Sequence, residues 1–403
     1  MHARSLSNPI ANLLHPNVSF EKAWFEKLKP ALHSIFEQRT SSLSFEELYR
    51  HAYQLVNGSK SSALYKHLEH EMNQRSLVIS ELLSLAPDSS FLDSFVTHCQ
   101  NYLQSAKLIS DIFMYLDRNY ISTQPDLDSV YNMCVITLTH VFFPSNPPSF
   151  LQQRLSSILE DSFNRARTHW MSDVDISDSS KNAIRILFSL GFNSRTVYLH
   201  VIESHFLHAT FSFYTQYSSD RLMNVSLADY INDVSRVLTF EESLVKSAVD
   251  DVGANASRKV AHQALILDHL DHIFSLDSGP IIWLKVPDQN LKTLNQFYFL
   301  IKEEKPALER LTAMVIDFLS SSMSTVFLNF SENFDTNFIM FVESVIHLFN
   351  QVFVQILKNS FENDPYVKRS VSDAFEKLST LTAILTRKTL PLSLYHSVDM
   401  LIT

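Results

Sequence analysis

Ser42-Leu43-Ser44-Phe45-Glu46-Glu47-Leu48-Tyr49-Arg50-His51-Ala52-Tyr53-Gln54-Leu55-Val56-Asn57-Gly58 is a short amphipathic helix with both ends written into it. Ser44 and Glu47 have the spacing of a capping box, in which the serine oxygen takes an orphan amide and the glutamate bonds back. The helix is expected to begin at Phe45 and run to about Val56, stopped by Asn57-Gly58. Two apolar stripes lie along it. Phe45, Tyr49 and Tyr53 stand one above another on a single face. Leu48, Ala52 and Val56 form a second stripe, about 100° away, which is enough to anchor the helix. The aromatic stripe is therefore either further core or a surface left for a partner. Tyrosine suits the second use, since it offers a large contact area, loses little rotamer entropy and keeps a hydroxyl at the wet rim.

The same three-and-four period extends in both directions. Upstream, Phe20, Trp24, Leu28, Leu32 and Ile35 share one stripe of a helix over 20–38. Downstream, helices are expected over 63–85, 91–120 and 127–143, the last two parted by Gln124-Pro125. Pro144-Ser145-Asn146-Pro147-Pro148 is a strong break, because proline cannot continue a helix. A second series is expected over 150–170, 179–190, 196–223, 227–252 and 256–274. Ser278-Gly279-Pro280 marks a second break, and a third series runs from Ile281 to about Leu385. Five helices over roughly 125 residues, twice in succession, read as stacked helical repeats.

Composition agrees with an all-α fold. Only 4 of 403 residues are glycine, where about 7% is usual. Hairpins, phosphate loops and dinucleotide folds all depend on glycine's access to positive φ. The formal net charge of −10 and the lack of a basic stripe argue against nucleic acid as a partner. Cys99 and Cys134 have no CxxC spacing, as in a reducing compartment. Residues 1–19 hold no apolar run of signal-peptide length, and no stretch of ~18 uncharged apolar residues occurs. The expectation is a soluble protein of the cytoplasm and nucleus, with no membrane contact.

Enzyme signatures are missing: there is no GxSxG, P-loop, HExxH or GxGxxG. His269 and His272, beside Asp268, could face a metal together or line a solvated face. Aspartate pairs of the kind that hold magnesium in helical terpene cyclases are not completed. No third aspartate follows Asp250-Asp251, and Asn232-Asp233 is followed by Ser235 and Glu241 out of step. No cofactor, metal or catalytic residue is expected.

At residues 44–53 the chain resembles the second helix of the cullins that recruit BTB-domain substrate adaptors. Further matches follow in cullin order: Trp24, Asp111 to Tyr120 ending in Asp117-Arg118-Asn119-Tyr120, Val130-Tyr131-Asn132, Val286-Pro287-Asp288 with Leu291-Lys292, Ser360 to Asp364, and Ala374-Phe375-Glu376. The likeness spans about residues 20–400. It implies an elongated curved stalk of three stacked five-helix cullin repeats, over 20–145, 146–278 and 279–385. Residues 1–19 would form an amino-terminal extension. Residues 386–403 would begin the connection to a carboxy-terminal domain that holds the RING subunit and carries the modified lysine, so the chain is expected to be part of a longer protein, the alternative being a truncated cullin.

Carried over by position, the adaptor face of the first repeat would comprise Leu43, Phe45, Glu46, Tyr49, Tyr53, Tyr120 and Tyr131. Glu46 has an alternative as a solvated first-turn acid, and Tyr120 as plain core. Ile10 to Val18 would either pack on the adaptor or stay disordered. The function implied is a non-catalytic scaffold of a ubiquitin ligase, the RING subunit binding only through the further domain. The alternative is a helical-rod tethering or trafficking subunit, in which the rings of Phe45, Tyr49 and Tyr53 would be buried in their own bundle.

Overall fold

Serine caps punctuate the chain. Ser44 accepts the Glu47 amide (3.3 Å), Ser129 that of Asn132 (3.3 Å), Ser149 that of Gln152 (3.0 Å) and Ser177 that of Ser180 (3.2 Å), each opening a helix at the residue that follows. The computed structural model describes residues 19–172, 175–276, 279–330 and 334–386, without the side chains of 287–289, 334–338 and 381–386. Among these residues there is no strand.

The first eight helices are α1 (residues 20–36), α2 (Phe45–Asn57), α3 (Ser61–Leu85), α4 (Asp88–Ile112), α5 (Met114–Asn119), α6 (Val130–Phe142), α7 (Phe150–Thr168) and α8 (Asp178–Leu190). Then follow α9 (residues 196–224), α10 (Leu227–Ala248), α11 (Asp251–Leu265), α12 (Leu270–Ser275), α13 (Pro280–Lys285), α14 (Pro287–Ile301), α15 (Lys305–Phe330), α16 (residues 334–358) and α17 (Pro365–Thr386). α1, α9 and α16 each pass through a π-helical stretch, at Trp24–Leu28, Leu199–Glu203 and Asn350–Lys358.

The chain divides into two compact units. One holds the described residues of Met1–Ala209 with Leu244–Ala254, the other those of Thr210–Ser243 with Asn255–Thr403. In the first unit α6 packs on α3 and α4, α4 on α1 and α8, and α2 on α1, α3, α4 and α5. Its core carries Trp24, Phe91, Phe95, Tyr102, Phe113, Phe142 and Phe163, all fully buried. The Tyr102 hydroxyl donates to the Cys134 carbonyl (3.0 Å), so this large ring brings no unsatisfied oxygen into the interior. Cys99 and Cys134 are free and buried, and burial pushes both thiols up, Cys134 to about 12.

The second unit stacks α15 against α16 and α17, with α13 against α14 and α15. α15 and Ile339–Lys358 of α16 are long and apolar enough to cross a membrane by length and composition. Asp317 and Glu343 interrupt them. α15 buries Leu308, Leu311, Val315, Phe318, Leu319 and Met323, one stripe at core-helix spacing.

Three expected elements are shorter or split. The helix expected over 91–120 breaks at Phe113 (φ −97°, ψ 15°), where α4 ends and α5 begins. α6 opens at Val130, later than the expected 127, because Asp117 accepts the Val130 amide (2.9 Å) and Tyr65 ties the Asp128 carbonyl (3.2 Å). The helix expected over 256–274 divides into α11 and α12, parted by a 3-10 turn at Leu267–His269. Residues 1–18 and 387–403 lie outside the described residues, and with them the expectations for Ile10 to Val18 and most of 386–403.

Candidate functional site

α2 is anchored by Leu48, Ala52 and Leu55, which are buried, while Val56 is only half-buried. The anchoring stripe thus shifts by one residue from Val56 to Leu55, and stays about 100° from the aromatic one. Only half of the expected capping box forms. Ser44 takes its amide, but the Glu47 carboxylate reaches Lys27 of α1 (3.2 Å) and faces His51 (3.6 Å). The hydrogen bond from Lys27 holds the Glu47 carboxyl below its usual range. Nor does Gly58 supply the left-handed residue after the helix. Its φ is −77°, and Ser59 takes that conformation at φ 58°.

The second stripe is left at the surface. Phe45 is 37% exposed, and Tyr49 and Tyr53 are half-buried. The tyrosine rings form a row: Tyr49 lies 6.5 Å from Tyr53 with planes 28° apart, and Tyr53 lies 4.5 Å from Tyr115 of α5. The Tyr115 hydroxyl donates to Asn57 Oδ1 (3.1 Å), tying the far end of the row to the last residue of α2. Along its edge Glu46 accepts from Arg50 (2.7 Å), an exposed i, i+4 pair. Leu43 is half-buried in the turn before Ser44. The result is a shallow apolar strip edged by one acid and one base, suited to covering by another polypeptide.

Tyr120 and Tyr131 are half-buried. Tyr120 is the C-terminal cap of α5, the helix that packs on α2, and Tyr131 lies in the first turn of α6. Asp117 connects the two, since it sits on α5 and accepts the first amide of α6 (2.9 Å). Burial raises the Asp117 carboxyl, the largest influence on it, against the opposing bond from Val130. Tyr115 is the residue that sequence reasoning missed. It falls inside the quoted segment Asp111 to Tyr120, but a lone tyrosine in an apolar-periodic helix reads as core.

Other candidate groups are spent within the fold. His269 Nε2 meets Ser218 Oγ (2.7 Å), and among the described residues no group of three or more His, Cys, Asp or Glu could hold a metal. Glu241 is fully buried and accepts from Tyr214 (2.7 Å) and Ser257 (2.5 Å), and Asp233 is paired with Arg221.

A model of the Cullin alpha solenoid domain matches residues 25–399. The chain is similar to Cullin-3 of Dictyostelium discoideum, 26% identical over 360 residues, which cover 89% of this chain and 45% of that protein. It is also similar to Cullin-3A of Arabidopsis thaliana, 24% identical over 367 residues (90% and 48%), and to Cullin-3 of Caenorhabditis elegans, 24% over 366 residues (87% and 45%). The chain spans about half the length of these curated relatives.

Proposed function

The chain belongs to the cullin family, and from that premise we propose that it is the amino-terminal, non-catalytic scaffold of a cullin–RING ubiquitin ligase whose α2 face binds a BTB-domain substrate adaptor. One observation carries the reading. α2 is fixed to its bundle by Leu48, Ala52 and Leu55, yet it keeps Phe45, Tyr49 and Tyr53 in a row at the surface. A helix that needed those rings for folding would bury them. Hot spots at protein interfaces are enriched in tyrosine and in well-packed aromatic anchors.

Leu43, Phe45, Glu46, Tyr49 and Tyr53 then form the α2 part of the contact, with Tyr120 and Tyr131 entering from α5 and α6. The division into repeats over 20–145, 146–278 and 279–385 belongs to the same proposal. So do a RING subunit held by a carboxy-terminal domain outside these residues and action in the cytoplasm and nucleus. The test is complex formation between the full chain and purified BTB-domain proteins on size-exclusion chromatography. A complex that the Phe45→Ala/Tyr49→Ala variant fails to form, while melting as a folded protein, supports the reading. A complex indifferent to that variant, or none with any BTB protein, removes it.

A further inference from the structure

Asn57, the last residue of α2, is outside the set carried over by position, yet it stands where the tyrosine row is held. The turn after it is closely bonded. Ser59, in the left-handed region (φ 58°), gives its amide to the Val56 carbonyl (3.1 Å), and Lys60 gives its own to Leu55 (3.0 Å). These are the two bonds of a Schellman motif, which take up carbonyls left over at the helix end. The Gly58 amide adds a third, to Gln54 (2.9 Å), so the Asn57 backbone is fixed. Its side chain is exposed and belongs to no core. It reaches across to α5 instead, where Oδ1 accepts from the Tyr115 hydroxyl (3.1 Å).

Tyr115 is the ring against which Tyr53 rests. Their centroids are 4.5 Å apart, whereas those of Tyr49 and Tyr53 are 6.5 Å apart, so the orientation of Tyr53 follows Tyr115 more closely than Tyr49. Both rings of the close pair are half-buried, at a rim where a side chain can exchange between staggered wells. Phe113 and Leu116, fully buried on either side, fix the backbone of α5 at Tyr115 and leave its side-chain torsions open. The bond to Asn57 restricts those torsions, because it ties the ring at its hydroxyl as well as at its Cα. An anchor already held in its bound orientation loses less conformational entropy when a partner covers it.

We infer that Asn57 is a positioning residue of the adaptor face: through the Tyr115 hydroxyl it holds the Tyr53 ring in the orientation that an adaptor covers. The inference rests on the α2 face being the adaptor site. Asn57 acts through Tyr115 and not by touching the adaptor. Its removal therefore leaves every anchor ring in place and costs only the ordering of one side chain on binding, a loss of roughly two- to ten-fold in affinity.

The experiment is a double-mutant cycle on the full chain, with affinity for a purified BTB-domain protein read by calorimetry. Asn57→Ala and Tyr115→Phe each remove one end of the bond. Each should weaken binding by the same roughly two- to ten-fold, and the double variant should lose no more than either. Asn57→Asp, which keeps an acceptor, should bind like the parent. All the variants should melt with the parent, apart from the small cost to Asn57→Asp of an anion at a helix C-terminus. In the free chain labelled with 3-fluorotyrosine, the Tyr53 signal, assigned with Tyr53→Phe, should shift in Asn57→Ala and far less in Asn57→Asp. The inference is overturned if the two single losses add in the double variant, since each group then meets the adaptor separately, or if the Tyr53 signal ignores Asn57→Ala. A parent that binds through Tyr49 while Asn57→Ala binds equally well overturns it too, and leaves the reading of α2 standing. A parent that binds no BTB protein removes that reading, and this inference with it.

Discussion

Replacing Tyr49 by alanine separates what α2 does for the fold from what it does for a partner. The ring is half-buried in the free chain and its ring contact within the fold is the stack on Tyr53, 6.5 Å between centroids. Such pairs contribute about 0.5–1.5 kcal/mol at good geometry, and this loose one should sit at the low end. A buried aromatic covers about 150–250 Å², so roughly 100 Å² of the Tyr49 ring is left for a partner to cover. At ~25 cal/mol per Å² that area is worth about 2.5 kcal/mol in the complex. Affinity for a BTB adaptor should therefore fall roughly 70-fold, while the free chain loses well under 1 kcal/mol of stability. Leu48→Ala, one residue away on the anchoring stripe, should do the reverse: about 2–5 kcal/mol of stability lost through transfer and cavity terms, with a smaller effect on affinity per folded molecule. Calorimetric titration and thermal melting of both variants read the two quantities. Tyr49→Ala with unchanged affinity, or with a loss of stability as large as that of Leu48→Ala, would refute the separation of the two stripes.

Three further outcomes follow from the packing. Arg154 of α7 donates to the carbonyls of Leu83, Ser84 and Ala86 and to Asp88 (2.5 Å), with its guanidinium over the Phe91 ring at 4.5 Å. Arg154→Ala should cost about 3 kcal/mol in chemical denaturation, since several carbonyls lose a charged donor at once. Asp117→Ala should remove about 1 kcal/mol by freeing the Val130 amide, and Asp117→Asn, which keeps an acceptor without the raised, half-buried charge, should recover most of it in the same melt. His98, His262 and His269 are all held below the usual histidine range, chiefly by burial, and His262 Nε2 donates to the Leu300 carbonyl (2.6 Å). The unfolded chain thus binds protons first as pH falls, so their contribution is present above about 6.5. Melting temperature should therefore drop between pH 7 and pH 5, and His262→Gln should flatten that slope.

The helices were legible in the sequence wherever polar punctuation set their ends. The serine cap at 44 and the proline break after Phe143 stand within a residue or so of the observed boundaries. Phe113 was not legible. Neither glycine nor proline marks it, and its ring is as buried as those of the regular positions around it, so the apolar period runs through the break. The π-helical stretches left no mark for the same reason: one extra residue in a turn rotates the stripe without changing its composition. On α2 the spacing of Phe45, Tyr49 and Tyr53 was plain, but whether they faced in or out was not. That depended on Leu55 joining Leu48 and Ala52, which left the aromatic rings at the rim of the bundle, Phe45 exposed and the two tyrosines half-buried. Tyr115 joins them only because α5, a short helix after an unsignalled break, turns back onto α2.

The central claim is that the ring row of α2 is covered by a BTB adaptor. Hydroxyl-radical footprinting of the full chain, alone and with a saturating BTB partner, tests this residue by residue. Phe45, Tyr49, Tyr53 and Tyr115 should be oxidised in the free chain and protected in the complex, while Phe150, 63% exposed on α7, should stay reactive in both. Protection confined to other helices, with Tyr49 and Tyr53 oxidised equally in both states, would contradict it.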